Sequence, residues 1–439
     1  MKKLFLWITF CFCLGGCDQY LDEKPIKAID TPDSLGAIEA LLDNSGSLNT
    51  YPTIPVVMGD EFLSSEAAIS SMELLERKFY LWMPQPFQPD DLVYDWRDCY
   101  NQIQNANVAL ESLERIPERG SKWEELKGAA LFYRAHAYFN LSTIFLDGPN
   151  LQGKNLALKI PVRKTSKIVL KPELGDKKSI EEIIQDDLQL AAQLLPISGA
   201  YATRPNKQAA KALLARIFLA WEEYELALSA SEEALQLGDE LMDYKELSSS
   251  SNYAFTRFNQ EVIWHSRIGG TSYFSSQSGF QVSEDLLDLY KEGDLRRALF
   301  YIERSSGYIN FRGSYYGGRP LFSGLAVDEL YLILAESLVR KGRIEEGAEI
   351  LNALLINRYS EAFIPVSFTD ETQALQVILE ERRKELAFRG LRWSDLRRLN
   401  NDERFKTTLT RNYEGQEYKL LPNSEKYVLP IPARELSFY

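Results

Sequence analysis

The sequence predicts an all-α fold: a scaffold of paired helices interrupted by long irregular insertions. Three observations carry this reading. Apolar residues recur at the 3.6-residue period through most of the chain. Small residues fall where antiparallel helices must cross closely, at the same 12-residue offset in two separate segments (Ala215 and Ala227; Ala335 and Gly347). Stretches rich in Gly, Ser, Pro and aromatic residues separate the periodic segments.

Composition limits the classes to consider. The 439 residues are 45% hydrophobic and 26% charged, which suits a chain with a large buried core. Disordered, collagen-like and disulfide-stapled chains are excluded. Asp and Glu number 63 against 50 Lys and Arg, and a net charge of −13 argues against a nucleic-acid partner.

The chain opens with Lys2 and Lys3, an apolar run from Leu4 to Leu14, then Gly15, Gly16 and Cys17. The run is shorter than the ~20 residues a membrane-crossing helix needs, but suits a signal peptide. Leu-Gly-Gly-Cys resembles a bacterial lipobox, which implies cleavage before Cys17 and acylation of its thiol. The alternative is an ordinary signal peptide with a chance Cys. Residues 1–16 are thus expected to be a signal and 17–32 a lipid-anchored tether, with a single domain over 33–439. The acidic residues Asp18, Asp22 and Glu23 resemble the surface-export signal of Bacteroidetes lipoproteins. Of Cys11, Cys13, Cys17 and Cys99, only Cys99 would stay unmodified, so no intrachain disulfide is expected. Loss of Lys2 and Lys3 takes the net charge from −13 to −15.

Helix pairs are predicted within 97–145, 180–240 and 325–400. In the first, 97–114 carries Ile103, Ala106, Asn107 and Leu110 on one side, and 123–145 carries Ala135, Tyr138 and Phe139. In the second, Thr203 or Asn206 can cap the start, and Leu214, Ala215, Phe218, Ala227 and Ala234 take tetratricopeptide spacings. In the third, Leu334, Ala335 and Leu338 repeat that pattern, with Lys341-Gly342-Arg343 as the turn. The copies are separated by far more than the ~34 residues of a tandem array, so they are pairs with insertions. The loops are 44–59, 83–91, 245–283 and 304–324, with 245–324 the candidate ligand region. Residues 417–432 read as an extended closing segment.

Several strings, in this order, resemble one family. Cys17-Asp-Gln-Tyr20-Leu21-Asp22 matches its mature start. Arg134-Ala135 with Tyr138-Phe139, and Asp186-Asp187-Leu188 to Leu195-Pro196, match two of its helices. Arg204-Pro205 through Arg216 matches its central scaffold helix. Glu381-Arg382-Arg383-Lys384-Glu385-Leu386 with Gly390 to Arg398 is the most specific string, and Leu429-Pro430-Ile431-Pro432 closes the match. The chain thereby resembles the SusD/RagB-like surface lipoproteins of Bacteroidetes. It departs from them at Arg389, where Glu is usual, and after Gly148-Pro149. The resemblance implies a tetratricopeptide-like scaffold and a non-enzymatic nutrient-binding lipoprotein on the outer-membrane surface. It also implies a SusC-like TonB-dependent transporter as partner, closed by this chain as a lid. The ligand would be an oligosaccharide, or a peptide as in RagB-like members, with no cofactor. Rival readings are a helical-repeat envelope scaffold that binds no nutrient, and a secreted glycan hydrolase.

The charged strings read as structural. Glu381 and Glu385 can pair with neighbouring Arg or Lys, Asp395 can bind Arg398, and Arg134 is expected to be buried and paired. His136 and His265 are the only two histidines and lack spaced partners, so no metal site is expected. The loop acids Asp60-Glu61 and Asp90-Asp91 read as solvated. Sugar rings stack their C–H faces on aromatic rings, while amides and guanidiniums bind hydroxyls. Tyr308, Asn310, Phe311, Arg312, Tyr315 and Tyr316 supply that mixture, and Trp82 is a further candidate beside Tyr80, Tyr273 and Phe274. The competing reading packs these aromatics onto the scaffold.

Overall fold

The computed structural model describes residues 32–146, 148, 158–167, 172–269, 280–313, 315–360 and 363–436. The expected signal peptide, Cys17 and the candidates Tyr273 and Phe274 lie outside these residues.

The longer helices are α1 (Leu35–Leu42), α2 (Tyr94–Arg115), α3 (Ser121–Phe145), α4 (Lys177–Leu194), α5 (Lys207–Ala220), α6 (Tyr224–Leu235), α7 (Val327–Arg340), α8 (Ile344–Leu355), α9 (Glu371–Glu385) and α10 (Arg392–Leu399). Each helix from α2 to α8 packs on the next, and α9 returns against α7, giving the all-α tetratricopeptide-like array. The predicted helices are present with ends shifted by a few residues. Asn206 is the cap of α5: its side chain accepts the Ala209 N–H at 2.8 Å. Trp221 to Glu223 form the turn to α6, and Glu222 takes a left-handed φ of 65°. The turn after α7 uses Gly342 at φ 79°, where glycine carries no steric penalty.

Small residues act where helices cross. Ala215, Ala227 and Ala335 are fully buried. At Gly347 on α8 a Cβ would stand 2.5 Å from Val339 Cγ2 and 3.0 Å from the Ala335 carbonyl oxygen. A side chain there would separate α7 from α8.

Among the described residues short strands pair only in twos: β1 (Thr50–Tyr51) with β6 (Arg267–Ile268), β2 (Phe62–Leu63) with β7 (Gln281–Val282), β3 (Ile160–Val162) with β4 (Glu173–Gly175), β5 (Val262–Trp264) with β10 (Leu325–Ala326), β8 (Tyr301–Glu303) with β9 (Ile309–Phe311), and β11 (Leu409–Tyr413) with β12 (Gln416–Leu420). Among the described residues only the β1–β6 pair is parallel. These ribbons give the 245–324 insertion and the tail more order than expected. The tail folds as the β11–β12 hairpin and a single 3-10 turn, Glu425–Tyr427, and the Leu429 N–H then reaches the end of α3 at Ile144 O, 2.8 Å away.

The charged strings pair internally, as the sequence suggested. Arg134 holds Asp187 through Nε and Nη2 at 2.7 and 2.8 Å. Asp395 accepts from Arg382 and Arg398. One expectation is corrected: the Asp60-Glu61 pair is not solvated. Asp60 is gripped by Arg392 at 2.7 and 2.9 Å, and Glu61 is only 2% exposed, with its Oε1 accepting the Phe388 N–H at 2.7 Å. Burial pushes the Glu61 carboxyl up to about 7. Asp60 is also penalised by burial, but the Arg392 and Arg383 guanidiniums outweigh that and hold it well below the usual carboxylate range.

Candidate functional site

The candidate ligand residues sit on and after the β8–β9 hairpin. Tyr301 pairs with Phe311 and Ile302 with Asn310, and the Arg304 N–H bonds Tyr308 O at 2.8 Å to close the tip. The β9 pleat turns Asn310 and Phe311 to opposite faces, and the flanking turn and loop direct the other four candidates.

Asn310 and Tyr315 point inward. Asn310 is 3% exposed; its amide donates to Phe280 O and its Oδ1 accepts from Arg304 Nε at 3.0 Å. Tyr315 is fully buried. Its hydroxyl donates to Glu261 Oε2 at 2.6 Å and lies 2.8 Å from the Tyr244 hydroxyl, while Arg389 stands 4.3 Å from its ring. Burial pushes its phenol well above the ordinary value. Neither side chain offers a face to a ligand here. Phe311 is half-buried against Phe388, with ring centroids 4.5 Å apart. Arg312 is half-buried and fastens the loop, donating to Leu299 O at 3.1 Å and Ser249 O at 2.9 Å. Tyr308 and Tyr316 are half-buried.

Tyr316 belongs to a surface cluster that sequence reasoning missed. Arg257 lies 4.6 Å from the Phe258 ring and 5.2 Å from the Tyr316 ring. His265 sits behind, 4.9 Å from Phe258 and 5.2 Å from Tyr316. Phe258 is 47% exposed and Tyr253 38%. Both fall in the aromatic stretch 245–283 noted above, but nothing in the spacing marks them as outward-facing. One glycine lets the two loops meet and another lets its own loop fold back. At Gly317, φ 69°, a Cβ would stand 2.6 Å from Arg257 N; at Gly313, φ 107°, it would stand 2.8 Å from Gly318 O. Burial lowers the His265 imidazole to about 4, so it is neutral at pH 7 and Arg257 is the nearby charge on the platform.

Beneath this cluster lies a buried charge network. Glu261 accepts from Tyr315, from the Met242 N–H at 2.7 Å and from Arg358 at 2.8 and 2.9 Å. Glu385 accepts from Arg358 at 2.7 Å and Arg296 at 2.9 Å; Asp328 accepts from Arg389 at 2.9 and 2.6 Å. Carboxylate oxygens of Glu261, Asp328 and Glu385 come within 4.8 Å of one another, the spacing of a cation site. Arg296, Arg358 and Arg389 already offset their charge, so the trio serves as a scaffold for the loops.

Trp82 is 2% exposed and donates from Nε1 to Met58 O at 2.9 Å, with Arg411 4.3 Å from its ring. It lines a cleft of about 720 Å³ with Phe79, Met83, Leu421 and Val428. No helix among the described residues is long and apolar enough to cross a membrane.

Two family profiles match. One, "Starch-binding associating with outer membrane", covers residues 19–219; the other, the SusD family, covers 328–438. The chain is 24% identical, over an alignment of 417 residues, to "SusD-like protein P2" of Formosa agariphila, covering 78% of this chain and 77% of that protein. A SusD-like carbohydrate binding protein from Bacteroides vulgatus superposes with a TM-score of 0.71 at 17% identity, covering 93% of this chain and 97% of that one. A SusD superfamily protein from Bacteroides thetaiotaomicron gives 0.74 at 20%, covering 92% and 98%. A laminarin binding SusD-like protein gives 0.66 at 20%, covering 92% and 97%. With SusD-family profiles matched on both halves of the sequence and a SusD-like relative along most of it, the chain belongs to the SusD/RagB family.

Proposed function

We propose that this chain is a glycan-binding lipoprotein of the outer-membrane surface, anchored through Cys17, that serves as lid and partner of a SusC-like TonB-dependent transporter. The observation that carries the glycan reading is the surface cluster of the exposed Phe258 ring and the half-buried Tyr316 ring with Arg257 beside both. Aromatic faces take sugar rings, and the guanidinium supplies donors to hydroxyls. The family description, starch-binding and outer-membrane associated, and the carbohydrate- and laminarin-binding names of similar proteins support the same reading. Of the candidates named from sequence, Tyr308 and Tyr316 are assigned to the ligand face, and Phe311 and Arg312 to shaping the loop. Asn310, Tyr315 and Trp82 are assigned to holding the scaffold. Binding, rather than hydrolysis, suits the acids: Asp60, Glu261, Asp328 and Glu385 all face guanidiniums. Ligand would favour lid closure only by its higher affinity for the closed state.

Two measurements test this. Pull-down of the lipidated protein from native outer membrane in mild detergent is expected to bring a stoichiometric TonB-dependent barrel. Titration with soluble glucans and with peptides of matched length is expected to give saturable binding to a glucan or related glycan. Peptide binding alone would reverse the ligand assignment, and absence of a barrel from confirmed surface material would remove the lid.

A further inference from the structure

The first turns of α2 carry a polar face whose hydrogen-bonding capacity the scaffold uses only in part, and Asp98 there pairs with Arg97 at 2.8 Å. Asp95, Asp98, Asn101, Gln102 and Asn105 follow the i, i+3, i+7 spacing of one helix side, and together with Arg267 of β6 they line a cleft of about 540 Å³. That volume lies within the ~300–1,000 Å³ of small-molecule pockets.

Unused hydrogen-bonding groups point to a ligand. Gln102 is 1% exposed, and its Nε2 donates to Ser47 O at 3.2 Å, Thr50 O at 3.1 Å and Thr50 Oγ1 at 2.8 Å. Those acceptors fix the amide orientation, because a flipped amide would set its oxygen against them. Its Oε1 is left buried without a partner among the described residues, a state that costs about 1–3 kcal/mol. Asp95 accepts the Thr53 and Ile54 N–H groups at 2.8 and 2.7 Å, both through Oδ2, which leaves Oδ1. The amides of Asn101 and Asn105 and the Arg267 guanidinium make no side-chain hydrogen bond or ion pair among the described residues. By contrast, Gln104 and Asn107 of the same helix are satisfied internally, by Ser166 O at 2.8 Å and Arg163 O at 2.9 Å.

The charges lining the cleft balance: Asp95 and Asp98 against Arg97 and Arg267. A net anion or cation therefore gains little there. Planar amide, carboxylate and guanidinium groups each present two hydrogen-bonding atoms at the spacing of adjacent hydroxyls. We propose that this cleft is a second binding site, for a neutral polyhydroxylated ring, held at its edge by hydrogen bonds from Asn101, Asn105 and Arg267 and by acceptance at Asp95 and Gln102. It needs no aromatic platform, so it stands or falls separately from the site at Phe258.

The test uses the full chain carrying Phe258→Ala, which disables the platform, titrated with glucose, galactose, mannose and myo-inositol, and with triglycine as the peptide control. Saturable binding of at least one ring polyol is expected, weakened fivefold or more by Asn101→Ala with Asn105→Ala. Asn101 is exposed and Asn105 half-buried, so this variant keeps its fold, checked by an unchanged Tm. No saturable polyol binding, polyol binding that survives loss of both amides, or binding of triglycine alone would each overturn the proposal.

Discussion

Arg389 and Asp328 meet in the core as a two-pronged pair, Nη1 to Oδ1 at 2.9 Å and Nη2 to Oδ2 at 2.6 Å, with neither side chain more than 1% exposed. The pair ties the turn between α9 and α10 to the first turn of α7, and Arg389 also stacks on Tyr315 beneath the platform loops. Removing one partner strands a buried charge. Arg389→Ala is therefore expected to cost about 3–5 kcal/mol in urea unfolding, whereas Arg389→Met with Asp328→Leu recovers most of the loss. A single-variant cost near zero would show that the pair is not carrying this junction.

Gly347→Ala separates packing from propensity. Alanine is worth up to about 1 kcal/mol over glycine in a helix interior. Here its Cβ would stand 2.5 Å from Val339 Cγ2 and 3.0 Å from Ala335 O, so the helices must part. The expected result is a net loss of 1–3 kcal/mol by overpacking, read as a lower Tm. A gain would mean that Val339 rotates away at little cost.

How far the sequence told this in advance differs from level to level. The Ala335–Gly347 offset and a cap at Thr203 or Asn206 are local patterns, and they were legible; that Arg134 is buried and paired was legible too, but its partner Asp187, 53 positions on, was not. The Asp60–Arg392 pair joins residues more than 300 positions apart, and no periodicity marks it. The candidate site was legible only as a region. Tyr315 and Tyr316 are adjacent, yet one is fully buried and the other half-exposed, because direction in an irregular loop is set by Gly313, Gly317 and the segment they pack against. Phe258 and Arg257 were passed over for the same reason.

Stability should pass through a maximum in mildly acid solution. Glu61, raised by burial to about 7, and Asp95, raised by burial to about 6, bind protons more readily folded than unfolded. Their contribution is complete below the ordinary carboxylate range and is lost as pH rises through about 6 and 7. Glu336 behaves oppositely. Burial alone would raise it, but the Arg398 and Arg340 guanidiniums hold it at about 2, so its contribution is present at neutral pH and is lost as pH falls from about 4.5 towards 2. Asp60 acts in the same direction. Thermal unfolding from pH 3 to 9 is expected to peak near pH 5. Glu61→Gln should raise Tm at pH 8, by on the order of 1–2 kcal/mol in stability, and change little at pH 4.5. A monotonic rise to pH 8 in the wild type would contradict the Glu61 assignment.

The platform reading separates two kinds of aromatic residue by experiment. Phe258 has a half-exposed ring that lies 4.6 Å from the Arg257 guanidinium and 4.9 Å from the His265 ring. Phe258→Ala is expected to weaken glycan binding by about 1–2 kcal/mol, a factor of roughly 5–30 in Kd, with Tm almost unchanged. Tyr315→Phe should do the reverse. It deletes the hydroxyl between Glu261 and Tyr244, leaves a buried carboxylate short of one donor and lowers stability by about 1–3 kcal/mol, while the saturated Kd at low temperature stays near wild type. If Tyr315→Phe lowered affinity as much as Phe258→Ala, the buried network rather than the exposed rings would be setting the binding surface. The ligand-facing role would then pass from individual aromatic faces to the fixed separation of the 253–258 and 313–318 loops, which Gly317 and Arg257 maintain.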